Sequence, residues 1–106
     1  MTTIALGKIS PPAPGTPIQV ITDQTVGCVR ITFCPVSTTG KIYIGVKGLN
    51  KTTLVGCMKA INPTPVSGIL DQFEIYVDSG NMLHPSDYFV DSDNAGEGVL
   101  VSYYQK

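Results

Sequence analysis

The chain contains few charged residues. Only 14% of its 106 residues are Asp, Glu, Lys or Arg, whereas an ordinary soluble domain carries about 25%. The net charge of −1 argues against a nucleic-acid-binding domain, which is normally basic. The 42% hydrophobic content argues against intrinsic disorder, and no apolar run approaches the ~20 residues of a membrane-spanning helix. We therefore expect one folded domain with neither a nucleic-acid nor a membrane partner.

Groups that perform chemistry are also scarce. His84 is the single histidine of the sequence, and its place beside a turn predicts a loop residue rather than a general base. No nucleophile elbow or phosphate-binding glycine loop is present. Cys28, Cys34 and Cys57 are odd in number, and their spacing fits neither a zinc nor an iron–sulfur site. These absences predict a protein that is not an enzyme and binds no cofactor or metal.

The same cysteines bear on the compartment. Residues 1–4 carry no basic segment, and no continuous apolar segment follows them, as a secretory signal would require. We therefore expect synthesis in a reducing cytoplasm, with free and mostly buried thiols.

The residues that are abundant favour β-structure. Val, Ile and Thr number 11, 10 and 11, and these β-branched residues suit strands better than helices. Eleven glycines and eight prolines are scattered along the chain, as turns between short strands would require. Strands are predicted at 17–22, 26–34, 41–46, 53–61, 72–78, 87–91 and 98–104. The fold prediction is all-β: residues 17–106 form a single compact β-sandwich or jelly-roll-like barrel of seven to eight short strands.

Residues 1–16 are predicted to form an extended N-terminal arm rather than part of the sheets. Its proline-rich part favours an extended, unpaired backbone. An arm that only moved in solvent would have little need of bulky aliphatic side chains. Two interpretations are open: a disordered terminus, or an arm that becomes ordered on a partner subunit or surface. The candidate contact residues are Ile4, Leu6, Ile9, Pro11, Pro12 and Pro14.

The best candidate for an ion site is the polar segment at 91–98. Asp91, Asp93 and Gly96 occupy positions 1, 3 and 6 of a calcium-binding loop. Alanine stands at the fifth position and serine at the twelfth, where ligands belong. We therefore favour a structural hairpin turn held by Asp91, Asp93, Gly96 and Gly98 over a calcium site.

Charge is unevenly distributed along the chain. Residues 1–60 contain six basic residues and one acidic residue, whereas residues 61–106 contain one basic and seven acidic residues. One interpretation is that the two halves neutralise each other within a single sandwich. The other is that a basic patch of one copy meets an acidic patch of the next copy in a ring, where complementary charge sets the register.

Three segments carry a resemblance to a known group of proteins. They are TGKIYIG at 39–45, DQFEI at 71–75 and PSDYFVDSDNAGEGV at 85–99. Their order and residue types resemble a pattern of small virion structural proteins of tailed bacteriophages, most like a capsid decoration (cement) protein. The resemblance covers roughly residues 39–104 and leaves the N-terminal segment unmatched.

This resemblance implies a structural role. Such proteins stabilise contacts between capsomers on the outer capsid surface, commonly as homotrimers. The implied partners are the major capsid protein and further copies of the chain, and the implied location is the virion after synthesis in the host bacterial cytoplasm. The N-terminal residues would then contact the capsid or a neighbouring subunit.

Two alternatives stay open. One is a tail, baseplate or fibre-associated structural module. The other is a carbohydrate-binding β-sandwich, for which exposed aromatic rings are needed. Tyr43 and Tyr76 point away from the aliphatic residues of their strands, so both are expected to be exposed.

Overall fold

Two four-stranded antiparallel sheets make up the fold. The computed structural model describes residues 2–37, 39–62, 72–78 and 80–105. The strands are β1 (Thr2–Ile9), β2 (Ile18–Gln19), β3 (Arg30–Val36), β4 (Ile42–Val46), β5 (Cys57–Ile61), β6 (Phe73–Tyr76), β7 (Tyr88–Ser92) and β8 (Gly98–Gln105). Sheet 1 has the order β1-β8-β3-β6 and sheet 2 the order β2-β7-β4-β5. The predicted all-β sandwich of seven to eight strands is confirmed.

The core lies between the two sheets and follows the alternation of the strands. Ile31 and Phe33 of β3 are fully buried, as are Ile42 and Ile44 of β4. Phe33 bridges the sheets, because its ring centroid lies 6.4 Å from that of Tyr88 in sheet 2. Each such side chain contributes about 1.5–3 kcal/mol through burial, so the core accounts for the sandwich without a disulfide. The described part of the chain contains no helix long and apolar enough to cross a membrane.

The prediction that residues 1–16 form an arm outside the sheets is wrong for Thr2–Ile9. These residues form β1 and pair along β8 of the same chain. The strand escaped detection because Ile4, Leu6 and Ile9 do not keep a period of two. A bulge between Ala5 and Gly7 shifts the register, and the extra residue brings all three aliphatic side chains against the core.

The proline-rich segment that follows β1 is a connection rather than an arm. Pro11 is buried, whereas Pro12 and Pro14 are exposed. A tight turn closes the segment, with the Thr16 amide donating to the carbonyl of Ala13 at 3.0 Å. The chain passes here from the edge of sheet 1 to the edge of sheet 2, so no boundary at residue 16 separates an arm from the body.

The segment after β7 also differs from its prediction. Strand β7 pairs with β2 and β4, whereas β8 pairs with β1 and β3. A hairpin would have placed β7 and β8 side by side in one sheet. The polar residues at 93–97 therefore cross from sheet 2 to sheet 1, and the hairpin prediction is wrong.

Strand β5 is shorter than the apolar run that suggested it. The run at 53–61 predicted one long strand with a bulge or close backbone contact at Gly56. Only Cys57–Ile61 are extended, and the register shift opposite Ile44 and Gly45 leaves Met58 of β5 as the extra residue of a bulge. A Cβ atom on Gly45 would lie 2.1 Å from the carbonyl oxygen of Gly56, so the close contact is confirmed.

Candidate protein-binding face

The outer face of sheet 1 carries a row of large side chains across three strands. Arg30 of β3 pairs with Tyr76 of β6 on one side and with Tyr104 of β8 on the other. The guanidinium carbon of Arg30 lies 5.1 Å from the ring centroid of Tyr104, within the range of a cation–π contact. Tyr76 is 72% exposed. These three side chains lie at one end of what we call the sheet 1 face.

The rest of the sheet 1 face is mixed, with apolar and charged side chains. Thr32 and Cys34 follow Arg30 on the same side of β3, since strand residues two apart share a face. Leu100, which pairs with Cys34, is 47% exposed, and Val36 is 36% exposed. The sheet 1 face also carries the exposed charges of Glu74 and Lys8, so it presents aromatic, aliphatic and charged side chains.

The outer face of sheet 2 is covered by loops instead. Tyr43 of β4 points to this side, yet it is only 7% exposed, so the expectation that it is exposed is wrong. The segment that connects β1 to β2 contacts this side through Gly15, whose amide donates to Asp91 at 3.1 Å. The loop between β4 and β5 contacts it through Lys51, which donates to the Ser92 carbonyl at 3.2 Å.

Asp93 ties the loops of this covered side together. Its carboxylate accepts hydrogen bonds from the amide of Lys41 at 3.1 Å, the hydroxyl of Tyr43 at 3.1 Å and the ammonium of Lys51 at 3.4 Å. Burial on its own would raise the pKa of Asp93, but the donated hydrogen bonds and the Lys51 charge outweigh burial and lower it. Burial, and then the hydrogen bond to Asp93, raise the pKa of Tyr43.

Asp91 forms a side-chain hydrogen bond with the proline-rich connection between β1 and β2. Its side chain is fully buried, and Oδ1 accepts from the amides of Ser92 and Gly15 at 2.8 and 3.1 Å. Oδ2 is buried and has no hydrogen-bond partner in the described part of the chain. Among the described residues, no group of three or more His, Cys, Asp or Glu side chains could hold a metal ion.

Glycine is required at two positions of this segment, for a different structural reason at each. Gly96 has φ +81°, a backbone conformation that favours glycine. A Cβ atom on Gly98 would lie 2.1 Å from the carbonyl oxygen of Ile9, so β1 and β8 can approach only because residue 98 is glycine. Asp91, Asp93, Gly96 and Gly98 thus shape the crossing between the sheets.

A cavity of about 840 Å³ lies beside β2 and β7, and its lining includes Gln19, Asp87 and His84. The Nδ1 atom of His84 is 3.0 Å from the carbonyl oxygen of Val26. The hydrogen bond that orients this imidazole therefore involves a backbone group rather than a carboxylate.

The uneven charge of the two halves is only partly neutralised within one copy. Lys51 and Asp93 form an ion pair of 3.4 Å between the basic and the acidic half. Lys47 and Asp78 are exposed and form no ion pair with the described residues. Pairing within one sandwich therefore does not account for the whole pattern.

The N-terminal contact residues proposed from the sequence do not gather on one binding surface. Ile4, Leu6 and Ile9 pack against the core of their own chain. Sequence reasoning found Tyr76 but missed its neighbours Arg30 and Tyr104. Cross-strand register brings these three side chains together, and alternation along a single strand does not reveal that register.

Comparisons with known proteins add no further information. No family model matches the chain, and neither the curated proteins nor the solved structures contain a match.

Proposed function

We propose that this chain is a structural protein of a bacteriophage virion, most like a capsid decoration protein. The partner in this proposal is the major capsid protein, bound at the outer surface of the head. The observation that carries it is the row formed by Tyr76, Arg30 and Tyr104, because tyrosine and arginine are enriched among the residues that dominate interface energies. The resemblance of the segments at 39–45 and 85–99 to small virion proteins supports the same role.

The mechanism would be mechanical rather than chemical. The broad face of 38 × 30 Å is large enough for the roughly 800 Å² that each partner buries in a standard interface. One copy could therefore form one interface of standard size. Several linked copies, such as the homotrimer, would bind neighbouring capsomers at once, and multivalency would then strengthen the attachment.

The experiment that tests this proposal measures binding of the purified protein to expanded, DNA-free capsids. We expect Tyr76→Ala to weaken binding about tenfold or more, because it removes the exposed aromatic ring of the sheet 1 face. Val55→Ala is the matched control, since Val55 is 64% exposed but lies in the loop between β4 and β5. Equal binding by the two variants, or no binding of the wild-type protein, would refute the proposal.

The tail, baseplate or fibre alternative differs from this proposal in where the protein lies in the particle. Labelling of intact particles with an antibody against the chain is expected to decorate the head, and decoration of the tail would favour the alternative.

The exposed ring of Tyr76 is the one observation that favours the carbohydrate-binding alternative, because sugars stack on such rings. A glycan array probed with wild-type protein and with Tyr76→Ala tests it. Binding of a glycan that the variant loses would favour this alternative over the capsid role.

A further inference from the structure

Both edges of sheet 1 are open in the described part of the chain. Strand β1 pairs with β8 on one side, and β6 pairs with β3 on one side. Open edges present unpaired backbone N–H and C=O groups, so natural proteins usually protect them with charge, proline or a bulge. The protection of each edge therefore indicates whether a strand of another molecule can pair with it.

The first half of β1 has none of these protections. Residues 2–7 contain no charge and no proline, and the bulge comes only between Ala5 and Gly7. Lys8 is the single charge of the strand, and its ammonium is used within the copy to donate to the Gly96 carbonyl at 2.5 Å. Residues 2–5 are thus a flat and uncharged edge that fits another strand.

Strand β6 is an acidic edge. Glu74 and Tyr76 are exposed on one face of it, and exposed Asp78 lies two residues beyond its end. Pairing of β6 with β6 of a second copy would bring acidic side chains together, which is unfavourable. Pairing with β1 avoids that repulsion, because β1 contains no acidic residue.

Direction and length agree with such a contact. All neighbours in sheet 1 are antiparallel, so β1 and β6 at its two ends run in opposite directions. A next copy placed edge to edge therefore continues the antiparallel alternation. Strand β6 has four residues, and four described residues of β1, Thr2 to Ala5, precede the bulge.

We infer that β1 of one copy pairs antiparallel with β6 of the next copy, in a heterologous contact. Matching buried to buried and exposed to exposed side chains allows registers two residues apart, and the inferred one centres the two segments on Ile4 and Ile75. Ile4 then lies opposite Ile75 of the partner subunit, Thr3 opposite Tyr76 of the partner subunit, and Ala5 opposite Glu74 of the partner subunit. This inference rests on the proposed function only in assuming an assembly of several copies.

Charge reversal tests the contact without any capsid. Ala5 is exposed, so Ala5→Glu should leave the unfolding midpoint unchanged while placing a second acid beside Glu74 of the partner subunit. We expect this variant to sediment as a monomer where the wild-type protein is an oligomer. The double variant Ala5→Glu/Glu74→Lys should restore the oligomer, and Thr53→Glu in an exposed loop is the matched control.

Cross-linking tests the register. In a Cys34→Ser/Cys57→Ser background, Thr3→Cys combined with Tyr76→Cys is expected to give disulfide-linked multimers that neither single variant gives. Multimers from Thr3→Cys alone would indicate β1 paired with β1 and would overturn the inference. A monomeric wild-type protein at all concentrations, or an oligomer unaffected by Ala5→Glu, would overturn it as well. Capsid binding is scored separately, so an unaffected oligomer that still binds capsids refutes this contact and leaves the proposed function standing.

Discussion

Removing the charge of Asp93 should destabilise the fold by loosening the loops that cover sheet 2. The carboxylate accepts three hydrogen bonds, from Lys41, Tyr43 and Lys51. A hydrogen bond to a charged group contributes about 1.5–3 kcal/mol when it is well buried. The Asp93 side chain is 37% exposed, so water replaces part of what is lost. We expect Asp93→Asn to lower the free energy of unfolding at neutral pH by about 1 kcal/mol.

The pH dependence of this loss is the sharper test. The hydrogen bonds from its neighbours hold the pKa of Asp93 below the ordinary value of an aspartate in the folded protein. The carboxylate therefore contributes stability above the pKa of the unfolded chain, and this stability is lost as the pH falls through the folded pKa. Urea unfolding at a series of pH values should show the difference between wild type and Asp93→Asn shrinking in acid.

Asp78→Asn provides the control, because the Asp78 side chain is exposed and forms no hydrogen bond with the described residues. It should unfold like the wild-type protein at neutral pH. A loss in Asp93→Asn that persists unchanged in acid would show that the network acts through shape rather than charge. An equal loss in Asp78→Asn would mean that net charge, not the network, is responsible.

Four substitutions test the backbone and the exposed face. Gly45→Ala should cost about 1–3 kcal/mol in thermal or urea unfolding, because its Cβ would lie 2.1 Å from the Gly56 carbonyl oxygen. Gly48→Ala meets no atom within 4 Å and has φ +90°, so its cost should be about 1 kcal/mol. Leu54→Gly should raise stability by several tenths of a kcal/mol or leave it unchanged, since Leu54 has φ +64° and is half exposed; a clear loss would contradict strain at that residue. Tyr76→Ala should change the unfolding free energy by less than about 0.5 kcal/mol, so that any binding defect reports on the face.

The parts of the fold that could be predicted are those where one strand carries its own signal. Alternation in β3 placed Ile31 and Phe33 inward, and both are fully buried. Strand β1 could not be predicted in the same way, because its bulge breaks the period of two between Leu6 and Ile9. The spacing of the aliphatic residues in β1 looks irregular in the sequence. It becomes regular only when the pairing with β8 shows that one residue is inserted at the bulge.

The candidate site depended on relations that no single segment contains. The sequence predicts exposure equally for Tyr43 and Tyr76, since each points away from the aliphatic residues of its strand. Tyr43 is buried because the loop carrying Lys51 and the turn at Asp93 fold over it. These groups come from distant parts of the chain, so burial of Tyr43 is a tertiary property. The place of Arg30 in the site is also a tertiary property, because it depends on the pairing of Arg30 with Tyr76 across two strands.

The two sheets differ in how their outer faces are covered. The loops that cover sheet 2 bring polar groups with them, including Lys51, Asp91 and Asp93. No comparable loop contact is found over the sheet 1 face in the described part of the chain, where Tyr76 and Leu100 are exposed. Loop coverage therefore distinguishes sheet 2 from sheet 1. Because exposed aromatic and aliphatic side chains favour burial against another protein, the sheet 1 face, rather than the loop-covered side, is the surface on which the proposed capsid contact is placed.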